Sequence, residues 1–147
     1  MFSQSLLDLF KRDLPKVTVE IEAYSDDELI WKVAEGTNNS AGNLALHIAG
    51  NLQHFFGATL NNSNYVRDRE FEFNGKVSRQ KLLDELKAAL MSVNETLDGM
   101  SDEQLQADYP IQPFGKAMTT EWFFTHLYAH LLYHLGQINY HRRILDL

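Results

Sequence analysis

Four long segments repeat their apolar residues at the helical period, and this pattern constrains the fold more than any other feature of the chain. They run from about 3 to 24, from 41 to 60, from just after Ser78 to 97, and from just after Thr119 or Thr120 to the last few residues. Apolar side chains recur within them at the spacing of one helix face, and no run alternates convincingly at period two. The sequence predicts an all-α fold: a four-helix bundle that forms a single domain over residues 1–147.

The ends and connections of these segments refine the prediction. Ser40 is placed as an N-cap of the second helix, and Pro15 predicts a kink or a break in the first. The connections 61–77 and 99–118 are too long for a simple up-down bundle, so we expect long crossovers. Ser25 and Ser101 each begin a capping-box pattern that predicts a short helix.

The second and fourth helices lack the charged outer face of the other two. Residues 37–66 and 122–141 contain no Asp, Glu, Lys or Arg. A helix without a charged face usually exposes little of itself to water. We therefore expect these two helices to pack on each other and against either the crossover loops or a second subunit, and we expect a homodimer.

Composition excludes several classes of site and partner. The chain has no cysteine, which rules out disulfides, thiolate metal sites and a cysteine nucleophile. Its formal net charge of −7 argues against nucleic acid as a partner. No apolar run is long enough for a membrane span, and the amino terminus lacks a signal-peptide pattern. The expected location is the cytoplasm.

Six histidines make up the most informative polar pattern, and they are His47, His54, His126, His130, His134 and His141. A single histidine on an amphipathic helix is usually a structural residue. Three of them spaced at i, i+4 and i+8 on an uncharged helix are harder to explain in this way, because buried neutral imidazoles need partners and no carboxylate lies among them in sequence. A metal ion satisfies such imidazoles directly.

Helical geometry selects among the three histidines of the fourth helix. Residues eight apart are separated by about 12 Å along the axis, so only neighbours four apart can share an ion. At about 100° per residue, His134 lies nearest the apolar face, His130 next, and His126 furthest round. The predicted pair is His130 with His134.

The third ligand should come from the second helix, where a polar stripe runs beside the apolar one. The stripe consists of Asn43, His47, Asn51 and His54. It carries no charge, which suits the lining of a cavity, although a solvated face remains an alternative. His47 is the predicted ligand because it is central, and His54 is the reserve.

Three histidines with open coordination positions are typical of a catalytic metal rather than a structural one. Imidazole ligands favour a divalent transition metal, Zn or Ni above others, over Ca or Mg. The absence of Glu-x-x-His pairs disfavours a di-iron site. Haem with two histidine ligands remains an alternative, but there is no C-x-x-C-H attachment motif, and an i, i+4 pair places both ligands on one side of the metal.

Two blocks of sequence resemble the DinB-like (YfiT-like) superfamily. Residues 130–138, HLLYHLGQI, are similar to its H-x-x-x-H-R-G-Q signature, and residues 39–51, NSAGNLALHIAGN, to its histidine-bearing second helix. The resemblance implies an up-down-down-up bundle, frequently dimeric, with a metal held by His47, His130 and His134. Leu135 departs from the pattern, because the family often has Arg there.

The resemblance also implies a range of functions. Family members include thiol S-transferases and a mycothiol-dependent maleylpyruvate isomerase, and many others have no assigned activity. The leading hypothesis is a metal-dependent transferase or hydrolase acting on a small electrophilic molecule, with Tyr133 and Asn51 as candidate polar helpers. The alternatives are a bundle that binds a metal or small ligand without catalysis, and a dimeric interaction module with structural histidines.

Overall fold

The computed structural model describes the whole chain from Met1 to Leu147 and confirms the all-α prediction. Its helices are α1 (Phe2–Ala23), α2 (Asp27–Ile30), α3 (Ala41–Leu52, continued by a π-helical segment, Gln53–Ala58), α4 (Arg69–Asn74), α5 (Arg79–Leu97), α6 (Asp102–Gln106) and α7 (Thr120–Leu145). The four long helices are those expected from the periodicity. Helix α4, in the first crossover, was not predicted.

Helix α1 continues through Pro15, so the expectation of a break there is wrong. Pro15 lies on the exposed face of the helix. The Lys11 carbonyl, which proline leaves without a helical donor, is on that face too and can be hydrated. On the opposite face Leu14 and Val17 are buried in the core.

The long helices begin at the hydroxyl caps that the sequence indicated. Ser40, Ser78 and Thr119 each accept a hydrogen bond of 3.1 Å from the backbone N–H three residues later. Such caps satisfy donors that the first turn leaves unpaired. These side chains therefore set where α3, α5 and α7 start.

Of the two capping boxes, the one at Ser101 is confirmed and the one at Ser25 is wrong. Asp26 caps α2 instead, accepting from the backbone N–H of Glu28 at 2.9 Å. The Ser25 hydroxyl donates to Asp146 Oδ1 at 2.5 Å. A carboxylate near the other end of the chain therefore accepts the hydrogen bond of the hydroxyl that the local pattern assigned to the helix cap.

Helix α3 widens into π-helix at Gln53 because distant side chains take its carbonyl groups. The Tyr109 hydroxyl donates to the Phe55 carbonyl at 2.6 Å, and the Thr96 hydroxyl donates to the Phe56 carbonyl at 3.0 Å. These bonds replace part of the ordinary helical ladder. The sequence predicted an unbroken α-helix here, since neither partner is local.

The long helices α1, α3, α5 and α7 run up, down, down and up. The residue pairs that set these directions are Asp13–Tyr128 and Tyr24–His141 between α1 and α7, Gln53–Glu85 and Phe56–Thr96 between α3 and α5, and His47–His130 and Phe56–Phe124 between α3 and α7. Helices α3 and α7 therefore contact each other, as their shared lack of charge predicted.

Helix α3 is the most enclosed element, with 11 of its 12 residues buried. Helix α4 covers the side that the bundle leaves open, and Asn43 fixes it there by donating to the carbonyls of Glu72 and Gly75 at 3.0 and 2.9 Å. Helix α7 keeps one exposed face. None of the helices has the length and hydropathy needed to cross a membrane.

Candidate metal centre

The structure brings together the three histidines that the sequence singled out. His130 Nε2 lies 3.0 Å from His47 Nε2 and 3.1 Å from His134 Nε2. The candidate ligand atoms of the three residues all lie within 4.8 Å of one another. The two histidines of α7 are one turn apart, and α3 presents His47 to them from the middle of its buried length.

A buried carboxylate supports His47 from behind. His47 Nδ1 lies 2.9 Å from Glu72 Oε1, and Glu72 is 4 % exposed. Arg67 donates to both oxygens of the same carboxylate, from Nε at 2.8 Å and from Nη2 at 2.9 Å. This fork orients the carboxylate, and the carboxylate in turn fixes the His47 ring with Nδ1–H as donor.

His134 is oriented in the same way by a residue one turn further on. Its Nδ1 lies 2.7 Å from Gln137 Oε1. A carbonyl oxygen can only accept, so Nδ1 carries the proton and Nε2 keeps a lone pair. In their neutral forms, His47 and His134 therefore both direct an unprotonated Nε2 toward His130.

Burial keeps the rings of His130 and His134 neutral. Burial, reinforced by repulsion from His134 and His47, lowers the pKa of His130 to about 3. Burial also lowers the pKa of His134. Burial alone would raise the pKa of the Glu72 carboxyl, but the hydrogen bonds from His47 and Arg67 outweigh it and hold that pKa below its usual value.

The other three histidines lie outside the cluster. His54 is seven residues beyond His47, about 10 Å further along the axis, and packs against Phe55. His126 stacks on Trp122, with ring centroids 5.7 Å apart. His141 is structural: Tyr24 donates to its Nδ1, and its Nε2 donates to the Lys32 carbonyl, both at 2.6 Å.

A cavity of about 380 Å³ opens beside the cluster. Its lining consists of His47, Asn51, Phe55, Arg67, Arg69, Pro113, Phe114, Phe123, His126, Leu127 and His130. Arg67 and Arg69 come from the first crossover, and Pro113 and Phe114 from the second, so both crossovers shape the cavity. Tyr133, a candidate helper, is 66 % exposed on the outer face of α7.

Sequence reasoning missed the groups that orient and surround the cluster. Glu72, Arg67 and Arg69 lie in a charged stretch that reads as an ordinary surface loop. Glu72 meets His47 only because α4 folds back onto α3, where Gly50 leaves room for it: a Cβ at Gly50 would lie 2.1 Å from Glu72 Oε2. A small residue one turn from His47 was the available signal.

Comparisons with known proteins agree with this architecture. The family model of the DinB superfamily matches residues 9–138. The fold is similar to the crystal structure of a DinB-like protein from Bacillus cereus, with a TM-score of 0.75 and 18 % sequence identity over 98 % of this chain and 94 % of that one. No curated protein matches the sequence.

Proposed function

Because this chain belongs to the DinB superfamily, we propose that it is a metal-dependent enzyme whose divalent ion is held by His47, His130 and His134. The observation that carries the proposal is that three Nε2 atoms converge and carry fewer protons than the two close contacts among them would need as hydrogen bonds. His130 Nε2 can donate a single proton, yet the two nitrogens that face it at hydrogen-bond distance are both unprotonated when their rings are neutral. A cation satisfies all three lone pairs at once.

The donor set fits a borderline transition metal. Zinc–imidazole bonds of about 2.0–2.1 Å in tetrahedral geometry separate two ligand nitrogens by about 3.3 Å. The two separations that involve His130, 3.0 and 3.1 Å, are close to that value, and the third pair, His47 with His134, lies within 4.8 Å. Neutral nitrogen ligands favour Zn or Ni over Ca or Mg, which prefer oxygen.

The chemistry proposed is attack by a thiol or a water on a small electrophilic molecule. A divalent ion at the cluster would supply a Lewis acid that lowers the pKa of the attacking group. His126 lines the same cavity, with its ring centroid 6.3 Å from that of His130, and is placed to accept a proton at a ring nitrogen. Phe55, Phe123 and Leu127 keep the cavity wall apolar. We also propose a cytoplasmic location, since thiols stay reduced there.

Turnover tests this proposal. Zinc- or nickel-loaded protein should accelerate conjugation of glutathione or cysteine to 1-chloro-2,4-dinitrobenzene, or hydrolysis of p-nitrophenyl acetate, followed by absorbance. His130→Ala should abolish the rate. His126→Gln should lower it about a hundredfold, the scale of a lost general base, with metal content unchanged. Equal rates in wild type and His130→Ala would refute a metal-dependent reaction.

A second candidate is a bundle that binds a metal or small ligand without catalysis. It is favoured because the cavity lining contains no Asp or Glu that could act as a general base. Glu72 does not fill that role either, since it faces the back of His47 and is held by Arg67. Stoichiometric metal with no turnover of any thiol or ester substrate would select this candidate.

A homodimer formed through the exposed face of α7 is also part of the proposal. The exposed residues of this uncharged stretch are Trp122, Thr125, Ala129, Leu132, Tyr133, Gly136, Gln137 and Tyr140. Such a face, large and without charge, resembles the core of a subunit interface. The mass measured by light scattering should be that of a dimer. Ala129→Glu should give a monomer, and Met91→Glu, exposed on α5, should not. A monomeric wild type at all concentrations would contradict the dimer.

A further inference from the structure

The cavity beside the three histidines is lined by two arginines, although the protein is acidic. Its lining includes two guanidinium groups, Arg67 and Arg69, and no carboxylate. The chain as a whole has a formal net charge of −7. A local concentration of one sign of charge in a concave, partly apolar site attracts ligands of the opposite sign.

The two arginines differ in how their charge is balanced. Arg67 is paired through two hydrogen bonds with the buried Glu72. Arg69 takes part in none of the ion pairs of the structure. Its guanidinium carbon lies 5.2 Å from the centroid of the Phe73 ring, which leaves the edge of the guanidinium free to bind. The uncompensated charge of the cavity therefore belongs to Arg69.

A second observation concerns Asn51, on the same side of α3 as His47. Asn51 is 7 % exposed and lines the cavity. Its Oδ1 is the only buried side-chain nitrogen or oxygen in the protein without a hydrogen-bond partner. A buried acceptor without a partner costs free energy, and the great majority of such atoms in folded proteins are satisfied. A donor on a bound ligand would supply the missing bond once the side-chain amide turns Oδ1 toward the cavity.

We propose that this cavity binds a small organic acid, whose carboxylate pairs with Arg69 and whose hydrogen-bond donor reaches Asn51 Oδ1. The inference rests on the proposed function, since the acid would be the substrate at the histidine cluster. A planar guanidinium matches the two coplanar oxygens of a carboxylate. The rings of Phe55, Phe114 and Phe123 surround the remaining space, so the body of the acid is apolar.

Binding of simple probes tests the proposal apart from turnover. Phenylacetate and its neutral isostere phenylacetamide are titrated into zinc-loaded and into metal-free protein, with amide shifts in NMR spectra as the readout. Phenylacetate should bind at least fivefold more tightly than the amide in both forms. Arg69→Gln should remove that preference. Arg143→Gln is the matched control: it removes the same charge from an arginine that also lies over a ring, 5.6 Å from the Tyr140 centroid, outside the cavity.

The role of Asn51 is tested with mandelate, which adds one hydroxyl donor to phenylacetate. In metal-free protein, where chelation cannot contribute, mandelate should bind about threefold to tenfold more tightly than phenylacetate, the scale of one hydrogen bond. Asn51→Leu should abolish this difference and leave the preference for phenylacetate over its amide intact. Phenyl phosphate serves as a further arm, and binding tighter than that of phenylacetate would replace the carboxylate with a phosphate ester.

The outcomes separate this inference from the proposed function. Zinc binding together with equal affinities for phenylacetate and phenylacetamide, or an unchanged preference in Arg69→Gln, overturns the acid-binding site alone. Failure to bind either zinc or nickel, measured by metal analysis on the same samples, overturns the proposed function whichever probe binds.

Discussion

Zinc at a hundredfold excess over its Kd is expected to raise the melting temperature of the wild-type chain by about 5–10 °C and to leave that of His130→Ala unchanged. Binding to the native state alone stabilises it by about 2.7 kcal/mol at that excess. For a chain of this length, 1 kcal/mol corresponds to roughly 2–4 °C. His130 Nε2 is the nitrogen closest to both other rings, so its loss should remove most of the affinity.

The control for this measurement is His126→Ala. His126 sits one turn before His130 on α7 but outside the cluster, so its variant should keep the full zinc-dependent shift. Protein purified without an affinity tag avoids a competing site, and metal analysis should give one ion per chain. A shift lost equally in both variants would mean that the histidines bind zinc as an unspecific surface patch.

Sequence reasoning reached the three clustered histidines because their signals are local or periodic. Helical phase alone predicted that His130 and His134 face inward and that His126 does not. In the structure, His130 and His134 belong to the cluster and His126 lies outside it. The cap at Ser40 fixed the start of α3, and hence the register of His47. The lack of charge on α3 and α7 indicated that the two helices pack on each other, which brings His47 to the α7 pair.

What escaped sequence reasoning depends on partners far along the chain. The π-helical turn at Gln53 exists because Tyr109 and Thr96 take carbonyls of Phe55 and Phe56. Ser25 fails as a cap because Asp146, 121 residues away, binds it. The role of Glu72 could not be predicted for the same reason. A carboxylate in a charged loop is expected to be solvated, and only the packing of α4 on α3 buries this one. Apart from the small residue Gly50 beside His47, local patterns give no sign of these pairings.

Glu72→Gln is the second substitution expected to have a large effect. It keeps the shape of the side chain but removes the negative charge. That charge balances Arg67, and the carboxylate that carries it accepts the hydrogen bond from His47 Nδ1. Breaking a buried ion pair costs about 3–5 kcal/mol, and Arg67 is partly exposed, so we expect a loss near the lower end. Loss of a residue that orients a metal-binding histidine typically lowers metal affinity about 10- to 100-fold. The control, Glu70→Gln, removes the same charge from an exposed position of α4 and should change neither quantity.

Gly50→Ala tests the position of the Glu72 carboxylate without changing its charge. In an exposed helix this substitution stabilises by about 1 kcal/mol. Here the new Cβ would lie 2.1 Å from Glu72 Oε2 and 2.6 Å from its carboxyl carbon, and Arg67 holds Glu72 in place from the other side. We therefore expect a net loss of stability and a fall in zinc affinity in the same direction as Glu72→Gln, both measured by thermal unfolding with and without zinc. In the double variant with Glu72→Ala the clash disappears, so Gly50→Ala should have little further effect there; additive losses would show that Gly50 acts on some other contact.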